Sequence, residues 1–155
     1  MSATASILYK RATFVTHLPV THRYAPSHCW LASSGDRRWR VGYTKFAMRM
    51  LGELVDVQFD REPGTPVRPG DVLGTVEGFK AVSELFCVGQ GSFVGGNPAL
   101  RTDLEALAQD PYSRGWLYEF EGEPDARCMD MDGYRALLDA TIDRLLEKQK
   151  AEEAP

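Results

Sequence analysis

The residue best placed to do chemistry in this chain is Lys80, within Val76-Glu77-Gly78-Phe79-Lys80-Ala81-Val82-Ser83-Glu84-Leu85. Apolar runs bounded by glycine flank it, Val72-Leu73-Gly74-Thr75-Val76 before and Leu85-Phe86-Cys87-Val88 after. That pattern reads as strand, turn and strand, with a primary amine at the tip. A lysine lifted into solvent in this way suits acylation by another enzyme, after which its side chain becomes a long swinging tether. Taken alone, the segment fits an ordinary exposed hairpin lysine better, and it is the rest of the chain that reverses the weighing. Glu77 and Glu84 place carboxylates three residues before and four residues after the amine, where charge complementarity would help a modifying enzyme find its register. For Glu84, solubility of an exposed turn is an equal reading.

Thiols and imidazoles are the other reactive groups. Cys29, Cys87 and Cys128 are an odd set with no C-x-x-C pair, so neither a zinc site nor a disulfide framework is expected, and a reducing compartment fits. His17, His22 and His28 show no metal-ligand spacing with them, and no metal is expected. A thiol hydrolase built from Cys87 or Cys29 with His28 is the main enzymatic alternative, but no nucleophile elbow, phosphate loop or metal motif accompanies it. Cys87 reads as a small buried hydrophobe, and Trp30, Trp39 and Trp116 as core or rim aromatics.

These residues need a scaffold, and 155 residues suffice for one domain with its own core. The net charge of −4 is mild, but no acidic residue occurs from Met1 to Gly35. Those sparse basic groups lack clustered arginines or interleaved aromatics, which argues against nucleic-acid binding. No apolar run is long enough to cross a bilayer, and no h-region marks a secretory signal. A cytoplasmic protein is expected, or a mitochondrial one in a eukaryotic source.

Residues 1–23 read as an N-terminal extension, a strand plus a turn at Pro19, ahead of a domain over 24–150. Tyr24 to Arg40 reads as a hairpin around Ser33-Ser34-Gly35-Asp36. Thr44 caps a short helix that Gly52 ends. Glu53 to Asp60 alternates as a half-buried strand with Val55, Val57 and Phe59 on one face. Pro-Gly turns at 63–64 and 69–70 divide short strands, the signature of a small sandwich or barrel. Asn97-Pro98 starts a helical stretch, and Thr102-Asp103-Leu104-Glu105 matches a capping box for another. Trp116 to Phe120 is a strand. Tyr134, Leu137, Leu138, Thr141, Leu145 and Leu146 recur at helical spacing, followed by a Glu/Lys tail that should fray.

The order of these residues resembles the glycine cleavage system H-protein family. Tyr24, His28, Trp30 and Leu31 resemble its opening Tyr-x-x-x-His-x-Trp-Leu, and Val41-Gly42-Tyr43-Thr44-x-Phe46-Ala47 with Leu51-Gly52-Glu53-Leu54-Val55 its next block. Glu77-x-x-Lys80-Ala81-x-Ser83 resembles the lipoyl-attachment segment, Asp110-Pro111-Tyr112-x-x-Gly115-Trp116-Leu117 the late signature, and Tyr134-x-x-Leu137-Leu138 the closing helix. The resemblance spans roughly residues 24–140. It implies a mainly β hybrid barrel-sandwich of the lipoyl and biotinyl type, with a few short helices and one at the C-terminus. It implies lipoate in amide linkage on Lys80, with Glu77, Gly78, Phe79, Ala81, Ser83 and Glu84 recognised around it and His28 helping to seat the loaded arm. Biotinyl domains generally flank their lysine with methionine, so Phe79 and Ala81 favour lipoate.

By the same resemblance the chain is a non-catalytic carrier. It would shuttle an aminomethyl group between glycine dehydrogenase (P protein), aminomethyltransferase (T protein) and dihydrolipoyl dehydrogenase (L protein), after loading by a lipoyl/octanoyl transferase or lipoate ligase. No nucleic acid or membrane partner is implied. Departures stand out: Gly78-Phe79 where the family usually has Ser-Val, Phe86-Cys87-Val88-Gly89-Gln90-Gly91 where it tends to Tyr-Ala-Pro-x-Ser-Gly, and the extension itself. The glycine is expected to loosen the tip. These leave room for an H-like carrier in lipoate-dependent sulfur oxidation or lipoyl relay, or for a non-lipoylated relative.

Overall fold

The structure, a computed structural model, describes residues 5–153, so the first four residues of the expected extension lie outside the described residues. The strands are β1 (Ser6–Arg11), β2 (Phe14–Pro19), β3 (Arg23–Tyr24), β4 (Cys29–Gly35), β5 (Arg38–Tyr43), β6 (Leu54–Phe59), β7 (Pro66–Val67), β8 (Val72–Gly78), β9 (Val82–Phe86), β10 (Gly89–Gly96) and β11 (Trp116–Pro124). Helices are α1 (Lys45–Leu51), α2 (Ala106–Gln109) and α3 (Met131–Glu153), with a 3-10 turn at Pro98–Arg101. One sheet has the order β3-β4-β5-β11-β10-β7, a second β6-β8-β9, and β1-β2 form a separate hairpin.

The alternation of side chains along a strand makes the six-stranded sheet serve two cores. Along β4, Cys29 and Leu31 enter the core shared with Leu73, Val76 and Leu85 of the three-stranded sheet. Trp30, between them, enters a second core with Tyr9, Phe14, Leu18, Phe46, Tyr134, Leu138 and Ile142. The N-terminal hairpin and α3 thus cover the opposite face of the sheet from the lysine-bearing strands. Tyr24 stacks on Tyr134 at 4.6 Å between ring centroids, nearly parallel at 5°.

Several sequence expectations need correction. The N-terminal segment is two paired strands rather than one, with Arg11 opposite Phe14. The turn between them carries Ala12 at φ 53, so the glycine or asparagine that usually marks such a hairpin is missing. In β6 the register slips between Leu54 and Asp56. This bulge turns Val55 out, 46% exposed, while Leu54, Val57 and Phe59 pack on the core; an inserted residue reverses the alternation. Thr102 closes the 3-10 turn, its hydroxyl donating to the Ala99 carbonyl at 3.3 Å, and no side chain caps α2. The expected capping box is therefore absent. In α3 the buried stripe is Tyr134, Leu138 and Ile142, Leu146 is 38% exposed, and the Glu/Lys tail stays helical through Glu153.

Polar ties fix the hairpin to α3. Arg11 grips Asp143 through two hydrogen bonds of 2.9 and 2.8 Å and lies 3.4 Å from Asp139, which accepts from the Tyr9 hydroxyl at 2.7 Å. The Arg11 guanidinium holds the Asp143 carboxyl below the usual carboxylate range. A group lowered in the folded state stabilises above its unfolded pKa and loses that contribution as pH falls through the folded value. Arg11→Ala is therefore expected to speed amide exchange across residues 6–19 near neutral pH, with the difference from wild type shrinking in strong acid and in high salt. Unchanged exchange at neutral pH would show that apolar packing alone holds the hairpin.

Candidate functional site

Lys80 sits in the turn joining β8 and β9, closed by the Gly78 amide donating to the Ala81 carbonyl at 2.9 Å. The tip does not stand clear of the body. The Phe79 amide donates to the Glu53 carbonyl and the Lys80 amide to the Leu51 carbonyl, each at 2.9 Å. The Lys80 side chain lies along the end of α1, with Nζ donating to the Arg49 carbonyl at 3.2 Å. The last carbonyls of a helix lack intrahelical partners and carry its negative end, so an ammonium and a turn amide are natural ligands for them.

Two glycines make this approach possible. Gly52 ends α1 with φ 79, its amide returning to the Met48 carbonyl, as expected of a C-terminal glycine. A Cβ there would also lie 2.9 Å from Lys80 Cγ. Gly78 faces the same corner, where a Cβ would collide with the Leu51 carbonyl oxygen. Gly78 thus permits close contact between the tip and the helix end; loosening the turn is not its role. At the other end of α1 the expected cap holds: Thr44 Oγ1 accepts from the Ala47 amide at 3.4 Å.

The expected recognition residues fall on the open face and the tip. Glu77 pairs with Val82 and Thr75 with Glu84 across β8 and β9, so both carboxylates point to solvent with Ala81. Neither is ion-paired to Lys80 among the described residues. Phe79 is 76% and Val82 69% exposed, which puts two bare apolar side chains beside the amine. Ser83 is half-buried, its hydroxyl donating to the Glu84 carbonyl at 3.0 Å.

His28 is not part of this cluster. Its Nδ1 bonds the Tyr134 hydroxyl at 2.9 Å, which also meets Thr44 Oγ1 at 2.7 Å, and its ring lies 4.8 Å from Phe46. It therefore sits at the N-terminal end of α1, with Lys80 at the other, about 10 Å of helix away. Burial pushes the His28 imidazole down to about 4. The unfolded chain takes up this proton near the ordinary value of 6.5, so stability is full above that pH and falls as pH drops toward about 4. His28→Asn keeps a residue tolerant of φ 68 and should flatten the fall in melting temperature between about pH 7 and about pH 4.5. An equal fall in the variant would shift the cause to buried His22, whose imidazole burial also lowers.

The thiols show no sign of reactivity. Cys87 is buried, donates to the Gly89 carbonyl at 3.2 Å and is pushed up to about 11 by burial; Cys29 is pushed up to about 12 for the same reason. The thiolate is the nucleophile, and no histidine hydrogen-bonds either sulfur among the described residues. Nor do three His, Cys, Asp or Glu side chains converge as a metal site among the described residues, and no described helix is long and apolar enough to cross a membrane. Sequence reasoning missed the contribution of Arg49, Leu51 and Gly52. Their helix was legible, but its contact with a turn some thirty residues later leaves no local signal.

Comparison with known proteins identifies the family. A family model described as Glycine cleavage H-protein matches residues 22–139. The glycine cleavage system H protein of Bacteroides fragilis is 35% identical over 127 residues, covering 80% of this chain and 99% of that protein. That of Photorhabdus laumondii is 30% identical over 128 residues, covering 81% and 98%. The crystal structure of a glycine cleavage system H protein from Mycobacterium marinum superposes with a TM-score of 0.68 at 34% identity, covering 77% of this chain and 97% of that one. The mainly β architecture with its C-terminal helix is thus the barrel-sandwich hybrid of these proteins, and the chain belongs to the glycine cleavage H-protein family.

Proposed function

We propose that this chain is the lipoyl carrier of a glycine cleavage system, with lipoate in amide linkage on Lys80. The observation that carries the reading is the anchored tip: an exposed primary amine in a turn fixed by backbone hydrogen bonds to Leu51 and Glu53. A loading enzyme therefore meets one presentation of the lysine, at little ordering cost on binding. The residues present fit the group. Among the described residues Nζ makes one hydrogen bond, to the Arg49 carbonyl, and Phe79 and Val82 of the same hairpin are exposed apolar side chains. Glu77 and Glu84 would complement cations on the loading enzyme, a lipoyl/octanoyl transferase or lipoate ligase.

When bound, the lipoyl group supplies the dithiolane sulfurs that carry the aminomethyl group. The chain itself positions the amine and contributes no acid, base or nucleophile. Its partners are the P, T and L proteins, and its place is the compartment that holds them, the cytoplasm of a bacterium or the mitochondrion of a eukaryote. A second reading, a carrier for another lipoate pathway, is favoured by Phe79, whose bare ring stands where a partner must engage the arm.

The test is peptide mass of protein made in a lipoate-supplied host, followed by glycine decarboxylation with purified P protein. A lipoyl increment on the Lys80 peptide together with turnover supports the proposal. An increment without turnover selects the second reading, and no increment beside a lipoylated control substrate sinks both.

A further inference from the structure

A pocket of about 230 Å³ opens where the turn of the N-terminal hairpin, α1 and the later turns of α3 meet, and Lys80 is not among its lining residues. Two of its three walls, residues 11–14 of the hairpin and the part of α3 from Ile142 to Gln149, lie outside residues 22–139 matched by the family. The apolar lining begins with Phe14, Phe46 and Ile142, all buried in one core. Phe14 packs edge-on against Phe46 at 5.5 Å. The lining continues outward in apolar side chains that water reaches, Met50 at 48% and Leu146 at 38% exposed.

One cation stands at this apolar surface without a counter-charge. Arg49 lines the pocket and joins no ion pair among the described residues. Its Nη2 donates to Thr13 Oγ1 at 3.3 Å, and its guanidinium stands 5.8 Å from the centre of the Phe14 ring. These contacts hold it in place and leave most of its five donors unspent. The other guanidinium of the lining, Arg11, is already committed to Asp139 and Asp143. A single unpaired guanidinium matches a single negative charge, and its planar fork matches a carboxylate. Beside it, aliphatic and thioether groups suit a flexible hydrocarbon chain. An apolar cavity of about 150 Å³ accepts benzene, so a pocket of this volume admits a short to medium chain.

We propose that this pocket binds a free aliphatic monocarboxylate of short to medium chain, its carboxylate on Arg49 and its chain against Phe14, Met50, Ile142 and Leu146. The inference is independent of the reading of Lys80, since the site needs neither an acylated residue nor a loading enzyme. For so small a ligand the expected Kd is roughly 0.1–10 mM.

The test is a titration of the full-length protein with sodium octanoate, followed by NMR of the Met50, Ile142 and Leu146 methyl groups. Acetate is the chainless control and 1-octanol the uncharged one. Octanoate is expected to shift all three methyls saturably with one common Kd, and acetate to leave them unmoved. Arg49→Gln should weaken octanoate roughly threefold to tenfold and leave octanol within about twofold; general loss of structure would not separate the two ligands. Leu146 is 38% exposed, so Leu146→Asp should fold, and it is expected to weaken octanoate and octanol alike. No saturable shift up to about 20 mM octanoate, beyond the range that a ligand of this size allows, overturns the proposal. So does an Arg49→Gln variant that weakens octanoate and octanol equally. If octanoate leaves the methyls unmoved while the protein sediments with phosphatidylglycerol vesicles, or self-associates, in a manner lost in Leu146→Asp, the pocket belongs to a lipid surface or to a second copy and the free acid is excluded.

Discussion

Arginine at position 80 is expected to abolish acylation outright while leaving the fold intact. Its guanidinium keeps the charge and the donor for the Arg49 carbonyl but stays protonated and cannot form the amide. Because Lys80 is exposed, the variant should melt within about 2 °C of wild type. Intact mass after expression with active lipoylation should show the lipoyl increment in wild type and none in Lys80→Arg. Lys45 and Lys80 line one open groove, so a digest that separates the two lysines is part of the measurement. An increment that persists in the variant would move the attachment point elsewhere.

Gly78→Ser should be the most damaging single change near the tip, although serine is the residue usual in the family. A Cβ at 78 collides with the Leu51 carbonyl oxygen, and that carbonyl already accepts from the Lys80 amide. Neither backbone can give way cheaply, so the tip must move off the helix end. Overpacking of this kind costs about 1–3 kcal/mol, and weakened backbone hydrogen bonds at Phe79 and Lys80 add about 1 kcal/mol. A fall in melting temperature of roughly 4–16 °C is expected, with faster exchange of those two amides. Gly35→Ser is the control, since its Cβ would meet only Arg38 Cβ at an ordinary 3.7 Å. Equal melting temperatures for Gly78→Ser and wild type would show that the tip contact carries no energy.

What the sequence disclosed was set by how local each signal is. Thr44 and Gly52 bracket α1 through contacts within the helix itself, and both ends are as expected. The alternation around Trp30 and Lys80 placed strands correctly because a strand with one buried face must alternate. Val55 misled because a bulge is decided by its partner strand, and the Ala12 turn hid because a packed hairpin can impose positive φ on alanine. Thr102 had the right residue types for a cap, but its hydroxyl found the Ala99 carbonyl first. The largest misreading, of Gly78 as a source of looseness, came from the same limit. Whether a glycine frees a chain or admits a neighbour depends on what stands opposite, and Leu51 is remote in sequence.

The joining of the N-terminal hairpin to α3 bears on how this protein is made. Tyr9 bonds a residue 130 positions further along the chain, and at about 5–20 residues per second on the ribosome that partner follows roughly 7–26 s later. Through that interval the cluster of Tyr9, Phe14 and Leu18 lacks the cover that α3 gives it, so this hairpin becomes native long after its own residues are made. Nascent chains stalled before α3 should therefore be protease-sensitive at residues 6–19 and prone to capture by chaperones, and release of the full chain should end both.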